Sequence, residues 1–202
     1  MAIKLTKNEL RAQQTRLAQF QRYLPTLQLK KAMLQFEVSL ALMEIQRLKE
    51  EFDAIWVRVV DFSPFLVEKV SVNILEYADV VHVKKQYENI AGVEIPLFKS
   101  IFFREPEYFL FDTPVWTEQA TIILRELVTT REKIGVAEEK RRALEKELRD
   151  VSIRVNLFEK VLIPRAQENI KKIRVFLGDQ QLSAVAQAKV AKRKILMRKL
   201  AV

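Results

Sequence analysis

Cysteine is absent from the 202 residues, and histidine and glycine are scarce, with one and three copies. Without cysteine the chain can form neither a disulfide framework nor a thiolate metal site, and a reducing compartment suits it. A single histidine also argues against metal catalysis and a nucleophilic triad. The glycine-rich P-loop that cradles phosphates is missing. The sequence therefore predicts no catalytic, cofactor-binding or metal-binding residues, and too few turns for an all-β or doubly wound fold.

Long apolar runs are missing too. Nowhere do about 18 apolar residues follow one another, so we expect no direct membrane span. Residues 1–7 lack the apolar run of a signal peptide. These absences together predict a cytoplasmic protein.

The charge is unevenly spread along the chain, whose net charge is +9. Residues 1–59 carry ten basic and six acidic side chains, and residues 116–202 carry twenty and eleven. Residues 60–115 carry five basic and nine acidic side chains. A basic chain can bind nucleic acid, an anionic membrane surface or an acidic protein, and composition alone does not choose among them.

The N-terminal flank has apolar residues at alternating steps of three and four, which is the seam of a left-handed coiled coil. Thirteen of the fifteen seam positions are apolar. Pro25 lies inside this pattern and removes a backbone donor, so we expect a kink or break just before it. The positions are Leu10, Gln13, Leu17, Phe20, Leu24, Leu27, Lys31, Leu34, Val38, Ala41, Ile45, Leu48, Phe52, Ile55 and Val59.

The C-terminal flank repeats the pattern, with eleven of thirteen positions apolar. After them the spacing changes to four and four, through Ala166 to Ile170, Ile173 and Leu177, and this stutter should locally unwind the supercoil. Pro164 lies at the same place, and Gly178 marks a later weak point. The thirteen positions are Ala120, Ile123, Leu127, Thr130, Ile134, Ala137, Arg141, Leu144, Leu148, Val151, Val155, Phe158 and Leu162.

The middle of the chain is interrupted by prolines and rich in β-branched and aromatic residues. Segments 67–74, 80–84 and 101–103 indicate two or three short strands. Asn89-Ile90-Ala91-Gly92-Val93 supplies a turn, so we expect a hairpin around 68–105. The aromatic residues that should pack this insert are Phe98, Phe102, Phe103, Tyr108, Phe109 and Phe111.

The fold class that follows is mainly α. Residues 1–60 and 116–202 are predicted to form a long antiparallel two-helix coiled coil, and residues 61–115 a small central insert with a β-hairpin and short helices at the closed end. The numbers of facing residues should then sum to about 179, which places Leu34 near Leu144 and Leu17 near Leu162.

Few residues are candidates for chemistry. His82 is followed by the strand-like residues Val83-Lys84-Lys85 and is interpreted as a surface or packed histidine. The acidic clusters Glu50, Glu51 and Asp53, and Glu138 with Glu139, are interpreted as solvated flanks of the coiled coil. The C-terminal segment is basic without interleaved aromatic residues, which weakens a single-strand nucleic-acid interpretation; its charges are Lys189, Lys192, Arg193, Lys194, Arg198 and Lys199.

Three passages follow one another in a distinctive order. The first helix opens with Asn8-Glu9-Leu10-Arg11 and continues to Leu27-Gln28-Leu29-Lys30-Lys31-Ala32-Met33-Leu34. The insert reads Glu88-Asn89-Ile90-Ala91-Gly92-Val93-Glu94-Ile95-Pro96. The second helix contains Arg154-Val155-Asn156-Leu157-Phe158-Glu159-Lys160-Val161-Leu162-Ile163-Pro164-Arg165. In these passages the chain resembles the D subunit of the V-type and archaeal-type rotary ATPases, and the likeness extends over almost the whole chain.

The resemblance implies a non-catalytic central shaft that couples ATP hydrolysis or synthesis to proton or sodium transport. Its implied partners are the catalytic and non-catalytic ring subunits, the rotor's F subunit at its side and a funnel-like subunit at its base. The implied location is cytoplasmic and peripheral to the membrane. The alternatives are a cytosolic coiled-coil scaffold or tether and, further off, a nucleic-acid-binding protein or an enzyme.

Overall fold

The computed structural model describes residues 3–64, 74–105 and 114–200. It confirms the mainly α fold class. The order is helix α1, a short 3-10 helix, strands β1 and β2, helix α2, a π-turn and helix α3. Their bounds are Lys7–Phe62, Ile74–Ala78, Val80–Ile90, Val93–Phe103, Trp116–Leu157, Phe158–Leu162 and Ile163–Leu200.

The chain divides into two compact units, each built from both flanks. One unit contains Met1–Leu29 and Val151–Val202, and the other is Lys30–Asp150. The insert belongs to the second unit. Each unit is described by itself below.

Helix α1 begins at a capped end and passes through its proline. The backbone N–H of Glu9 donates to Oγ1 of Thr6 at 3.3 Å, which satisfies one of the free donors at a helix N-terminus. Pro25 lies inside α1, so the helix does not break there, and the alternative that the sequence allowed, a kink, stays a prediction. A helix can run through a proline when packing supplies more stability than the missing hydrogen bond costs, which is about 3 kcal/mol.

The predicted seams are confirmed along both flanks. Every seam position named above, from Leu10 to Val59 and from Ala120 to Leu177, is buried or half-buried. Leu34, Leu144 and Ile173 are fully buried. Burying such side chains contributes about 1.5–3 kcal/mol each, so the seam is the main source of stability in each unit.

The helices of the unit Lys30–Asp150 are antiparallel, as predicted. Nζ of Lys30 lies 2.7 Å from Oε1 of Glu147, and Nζ of Lys140 lies 2.9 Å from Oε2 of Glu44. Arg58 and Glu126 form a third pair at 2.8 Å. Residue numbers rise on one helix as they fall on the other. Leu34 and Leu144 lie between the first two pairs, where the predicted register places them.

In the other unit the helices are also antiparallel. The rings of Phe20 and Phe158 meet edge to face, with centroids 5.3 Å apart, which agrees with the predicted register. Leu162 lines a groove with Phe20, and Leu17 lines another groove with Ile170, so falling numbers on α1 again accompany rising numbers on the C-terminal flank. The pairing of Leu17 with Leu162 itself stays a prediction.

A π-turn spans Phe158–Leu162, and only Ile163 separates it from Pro164. The backbone N–H of Ile163 donates to the carbonyl of Phe158, a bond that encloses one more residue than an α-helical bond. The seam spacing of four and four, from Leu162 to Ile170, also contains one residue more than the regular alternation. The π-turn takes up that residue, so the buried side chains after it still face α1 within the unit. It lies where the sequence predicted local unwinding.

The insert contains the predicted β-hairpin. Its strands are antiparallel and pair from Val80 with Phe103 to Ile90 with Val93. The turn residues Ala91 and Gly92 have φ angles of 52° and 81°, as a two-residue hairpin turn requires. The N–H of Gly92 donates to Oδ1 of Asn89 at 2.9 Å, which confirms the predicted turn.

The aromatic packing of the insert is only partly as predicted. Phe98 and Phe103 are half-buried against α2, but Phe102 is 52% exposed, so its predicted packing role is wrong. Phe102 points away from its neighbour Phe103 because successive side chains of a strand face opposite sides. Phe98 can still share the side of Phe103, because β2 has an extra residue between Phe98 and Ser100, where the pairing register shifts. The expected strand over 67–74 and the aromatic residues Tyr108, Phe109 and Phe111 lie outside the described residues, except that Ile74 begins the 3-10 helix.

Candidate interaction surfaces

The residues considered for chemistry are on the surface. His82 is exposed on β1 opposite Phe102, and Glu50, Glu51 and Asp53 are exposed on α1. The second acidic cluster has basic neighbours: Glu138 accepts a hydrogen bond from Arg142, and Glu139 accepts one from Lys85. Both clusters are the solvated flanks that the sequence indicated.

Two features are absent from the described part of the chain. No group of three His, Cys, Asp or Glu residues there could hold a metal ion. Among the same residues, no helix is long and apolar enough to cross a membrane. On α3, a hydrogen bond from Lys172 at 2.6 Å lowers the pKa of Glu168 below its ordinary value, as expected for an exposed pair one turn apart.

The β-hairpin is attached to α2 through Arg125, which makes two hydrogen bonds and a ring contact with the described part of the insert. Nε of Arg125 donates to the carbonyl of Tyr77 at 2.9 Å, and Nη2 donates to the carbonyl of Arg104 at 2.7 Å. The guanidinium also lies over the ring of Phe103, 5.3 Å from its centroid. Tyr77 precedes β1 and Arg104 follows β2. One side chain therefore holds both ends of the hairpin.

The rest of the hairpin extends back along the helices. Phe98 lies under Nζ of Lys133 at 5.9 Å, and Lys85 pairs with Glu139 at 2.7 Å. A Cβ placed on Gly92 at the tip would lie 3.8 Å from Nζ of Lys30. The hairpin thus runs beside the helix pair from Arg125 towards Lys30.

A narrow cavity of about 340 Å³ lies between the hairpin and the helices. Its apolar walls are Pro96, Leu97 and Phe98 with Leu48, Val136 and Ala137, and its charged walls are Glu44, Arg47, Glu51, Lys133 and Lys140. Ile95 on the same strand is fully buried. The contact of β2 with the helices therefore combines apolar packing with charged side chains.

A second apolar stripe runs along α1, on a face away from the buried seam. Met33, Phe36, Leu40 and Met43 are 48%, 63%, 37% and 60% exposed. They follow one another at steps of three and four, so they lie on one face of the helix. We call these four residues the outer stripe. A helix that is apolar on two faces normally has a neighbour on each.

The outer stripe has an acidic margin. Residues 32–46 contain Glu37 and Glu44 and no basic residue, although the whole chain has a net charge of +9. Each glutamate comes one position after an aromatic or methionine residue of the stripe, Phe36 or Met43, and so lies beside it. This surface suits an apolar partner face bordered by lysine or arginine.

The C-terminal end of α3 is an exposed basic helix. Side chains from Asp179 to Met197 are exposed, and Lys189, Lys192, Arg193 and Lys194 are among them. The helix continues through Gly178 to Leu200, so the expected weak point does not interrupt it. Ala, Lys, Arg, Leu and Met favour helix without a packed neighbour.

Sequence reasoning missed the outer stripe and Arg125. The stripe has the same spacing as the buried seam, and a count of alternative seams on α1 would have found it. Arg125 has no comparable signal, because its partners are backbone carbonyls whose position depends on the fold.

These features define the class of protein: a mainly α chain with antiparallel helices in each unit and a β-hairpin packed beside the helices of the unit Lys30–Asp150. A family model for the ATP synthase D subunit matches residues 9–193. The chain belongs to this family.

Relatives are similar over nearly their whole length. The V-type ATP synthase D subunit of Chlamydia abortus is 44% identical over 201 residues, which cover 98% of this chain and 95% of that protein. The protein of the same name from Chlamydia felis is 45% identical over 202 residues, with the same coverage. That of Chlamydia trachomatis serovar L2 is 43% identical over 204 residues, covering 98% of each chain.

Proposed function

We propose that the chain is the central rotor shaft of a V-type or archaeal-type rotary ATPase, cytoplasmic and peripheral to the membrane. It transmits rotation between the catalytic ATPase ring and the ion-translocating ring, and so couples ATP hydrolysis or synthesis to proton or sodium transport. The family match over residues 9–193 carries this proposal. The antiparallel helices support it, because coiled-coil packing resists twisting better than a single helix does.

The shaft itself contributes no catalytic group in this proposal. Its partners are the catalytic and non-catalytic ring subunits, the rotor's F subunit and a funnel-like subunit at its base. The exposed basic end of α3 is the part that enters the ring, where its charge meets acidic side chains of the ring interior.

The F subunit docks on the outer stripe in this proposal. Four exposed apolar side chains on one face need a partner, and the F subunit is the implied partner at the side of the shaft. The acidic margin formed by Glu37 and Glu44 predicts a basic border on the docking face of that partner.

The proposal is tested first by purification from the native source. A rotor brings ATPase ring subunits with it, whereas a scaffold or tether would bring other proteins. A nucleic-acid-binding protein would instead bind DNA or RNA with an affinity that falls steeply with salt. Purification without any ATPase subunit would exclude the rotor.

The docking surface is tested with the purified F subunit by titration calorimetry. Phe36→Ala should weaken binding by roughly tenfold or more, because an aromatic anchor at the centre of an interface contributes about 2 kcal/mol or more. Val57→Ala is the matched control, since Val57 is equally exposed on α1 outside the stripe. Equal losses in the two variants would refute this docking surface.

A further inference from the structure

We propose that Arg125 is a positioning residue: it clamps the β-hairpin onto α2, so that hairpin and helix pair turn as one rigid body. This inference rests on the proposed rotor function and adds a role for the insert. The alternative is that the hairpin is a mobile arm that leaves the helices during each turn.

The hairpin needs an attachment to the helices. A lone two-stranded hairpin is marginally stable in water, so its order depends on attachment to the helices. The contacts of Lys85 with Glu139 and of Lys133 with Phe98 are partly exposed, and contacts of this kind are weak. Arg125 is itself only half-buried, but it donates two charge-assisted hydrogen bonds to backbone carbonyls, and two such bonds from one side chain hold more firmly than the contacts of Lys85 and Lys133.

The clamp lies at the base of the hairpin, where its two strands begin and end. Its two carbonyls belong to Tyr77 and Arg104, one at each end of the hairpin, and a neighbouring bond runs from the N–H of Arg104 to the carbonyl of Asp79 at 3.3 Å. Fixing both ends of a hairpin removes the hinge about which it could swing. The apolar side chains of β2 then stay packed against the helices.

The clamp at position 125 requires an arginine and not merely a positive charge. The two accepting carbonyls and the ring of Phe103 require two donors in fixed directions and a flat cation. A guanidinium provides both, and an ammonium provides neither. Arg125→Lys should therefore keep the charge and lose the clamp, which makes it a sharper variant than alanine.

Hydrogen exchange of the isolated full chain tests the clamp. Arg125→Lys should raise the exchange rates of β1 and β2 amides by roughly tenfold or more, while seam amides of α1 and α2 keep their rates. Arg131→Lys on the exposed face of α2 is the matched control and should change neither set. Unchanged strand exchange in Arg125→Lys would overturn the clamp, whatever the function of the chain.

Coupling in the assembled ATPase tests the role. Arg125→Lys should leave ATP hydrolysis within about twofold of wild type and lower the ions moved per ATP by about half or more, because a loose insert transmits torque poorly. The Arg131→Lys complex should couple normally. Faster strand exchange with normal coupling would overturn the positioning role and leave the rotor proposal intact.

A thiol cross-link provides rescue, since this chain has no cysteine of its own. Lys85→Cys with Glu139→Cys, added to Arg125→Lys and joined by a reducible thiol-specific cross-linker as long as the two lost side chains, should restore coupling when linked and lose it again when the linker is reduced. The same pair in the Arg125 background should couple normally when linked. Loss of coupling in that locked chain would mean that the hairpin must leave the helix during turnover, and the proposal would be wrong.

Discussion

The ammonium of Lys30 lies 2.7 Å from the carboxylate of Glu147, so residues 117 positions apart in the chain are ion-paired across α1 and α2. The tip of the β-hairpin ends beside the same ammonium, at Gly92. The Lys30–Glu147 pair thus marks where three separate segments meet. It marks the register of the helices and the point along them that the tip of the hairpin reaches.

Truncation of Leu34 should lower the free energy of unfolding far more than truncation of Phe36 does. Leu34→Ala removes a fully buried side chain and should lower the free energy of unfolding by about 2–5 kcal/mol. Phe36→Ala changes an exposed side chain and should alter it by about 0.5 kcal/mol or less. Urea denaturation followed by circular dichroism measures both. A large loss for Phe36→Ala in the isolated chain would mean that the outer stripe is packed within it.

The hairpin turn offers a pair of substitutions with opposite signs. Gly92→Ala should destabilise the hairpin by about 1 kcal/mol, because φ is positive there and a Cβ is strained. Ala91→Gly should relieve the same strain, although added freedom in the unfolded chain offsets about 0.4–1 kcal/mol of the gain. Amide exchange of β1 and β2 reports both effects. Two changes of the same sign would contradict the turn geometry.

The π-turn should depend on the extra residue in the seam spacing and not on Pro164. Pro164→Ala restores a backbone donor and should stabilise the chain by up to about 3 kcal/mol, yet the π-turn should remain because the seam still contains its extra residue. Deletion of Pro164 shortens the step from Leu162 to Ala166 to three, so the π-turn should become regular α-helix. Carbon chemical shifts distinguish the two variants. A regular helix in Pro164→Ala would show that the proline alone causes the π-turn.

Residues 185–202 should be dispensable for binding of the F subunit and needed in the ring. Removing them should leave the affinity for that partner unchanged and weaken ring assembly or ATP-driven rotation. The control is a full-length chain with Lys189, Lys192, Arg193 and Lys194 changed to glutamine, which keeps the helix and removes charge. Loss of F-subunit binding with unchanged turnover in the truncated chain would contradict the placement of this end.

The seams could be predicted from the sequence because the packed face of a coiled coil repeats at alternating steps of three and four residues. The positions from Leu10 to Val59 are buried or half-buried in the order that the alternation of three and four requires. Asn89 and Gly92 likewise predicted their turn, because a positive φ and a side-chain cap are local demands. The break expected at Pro25 did not form, since a local cost yielded to packing along the whole helix.

The same spacing could not tell Leu34 from Phe36. Both belong to apolar series along α1, and only the position of α2 decides which series is covered. The clamp at Arg125 is beyond sequence reasoning for a related reason: its acceptors, the carbonyls of Tyr77 and Arg104, belong to every residue type. Spacing along the chain thus determined the helices, their direction and the turn. The tertiary structure decided which face is free and where the hairpin is fastened, because both depend on which segments meet in space.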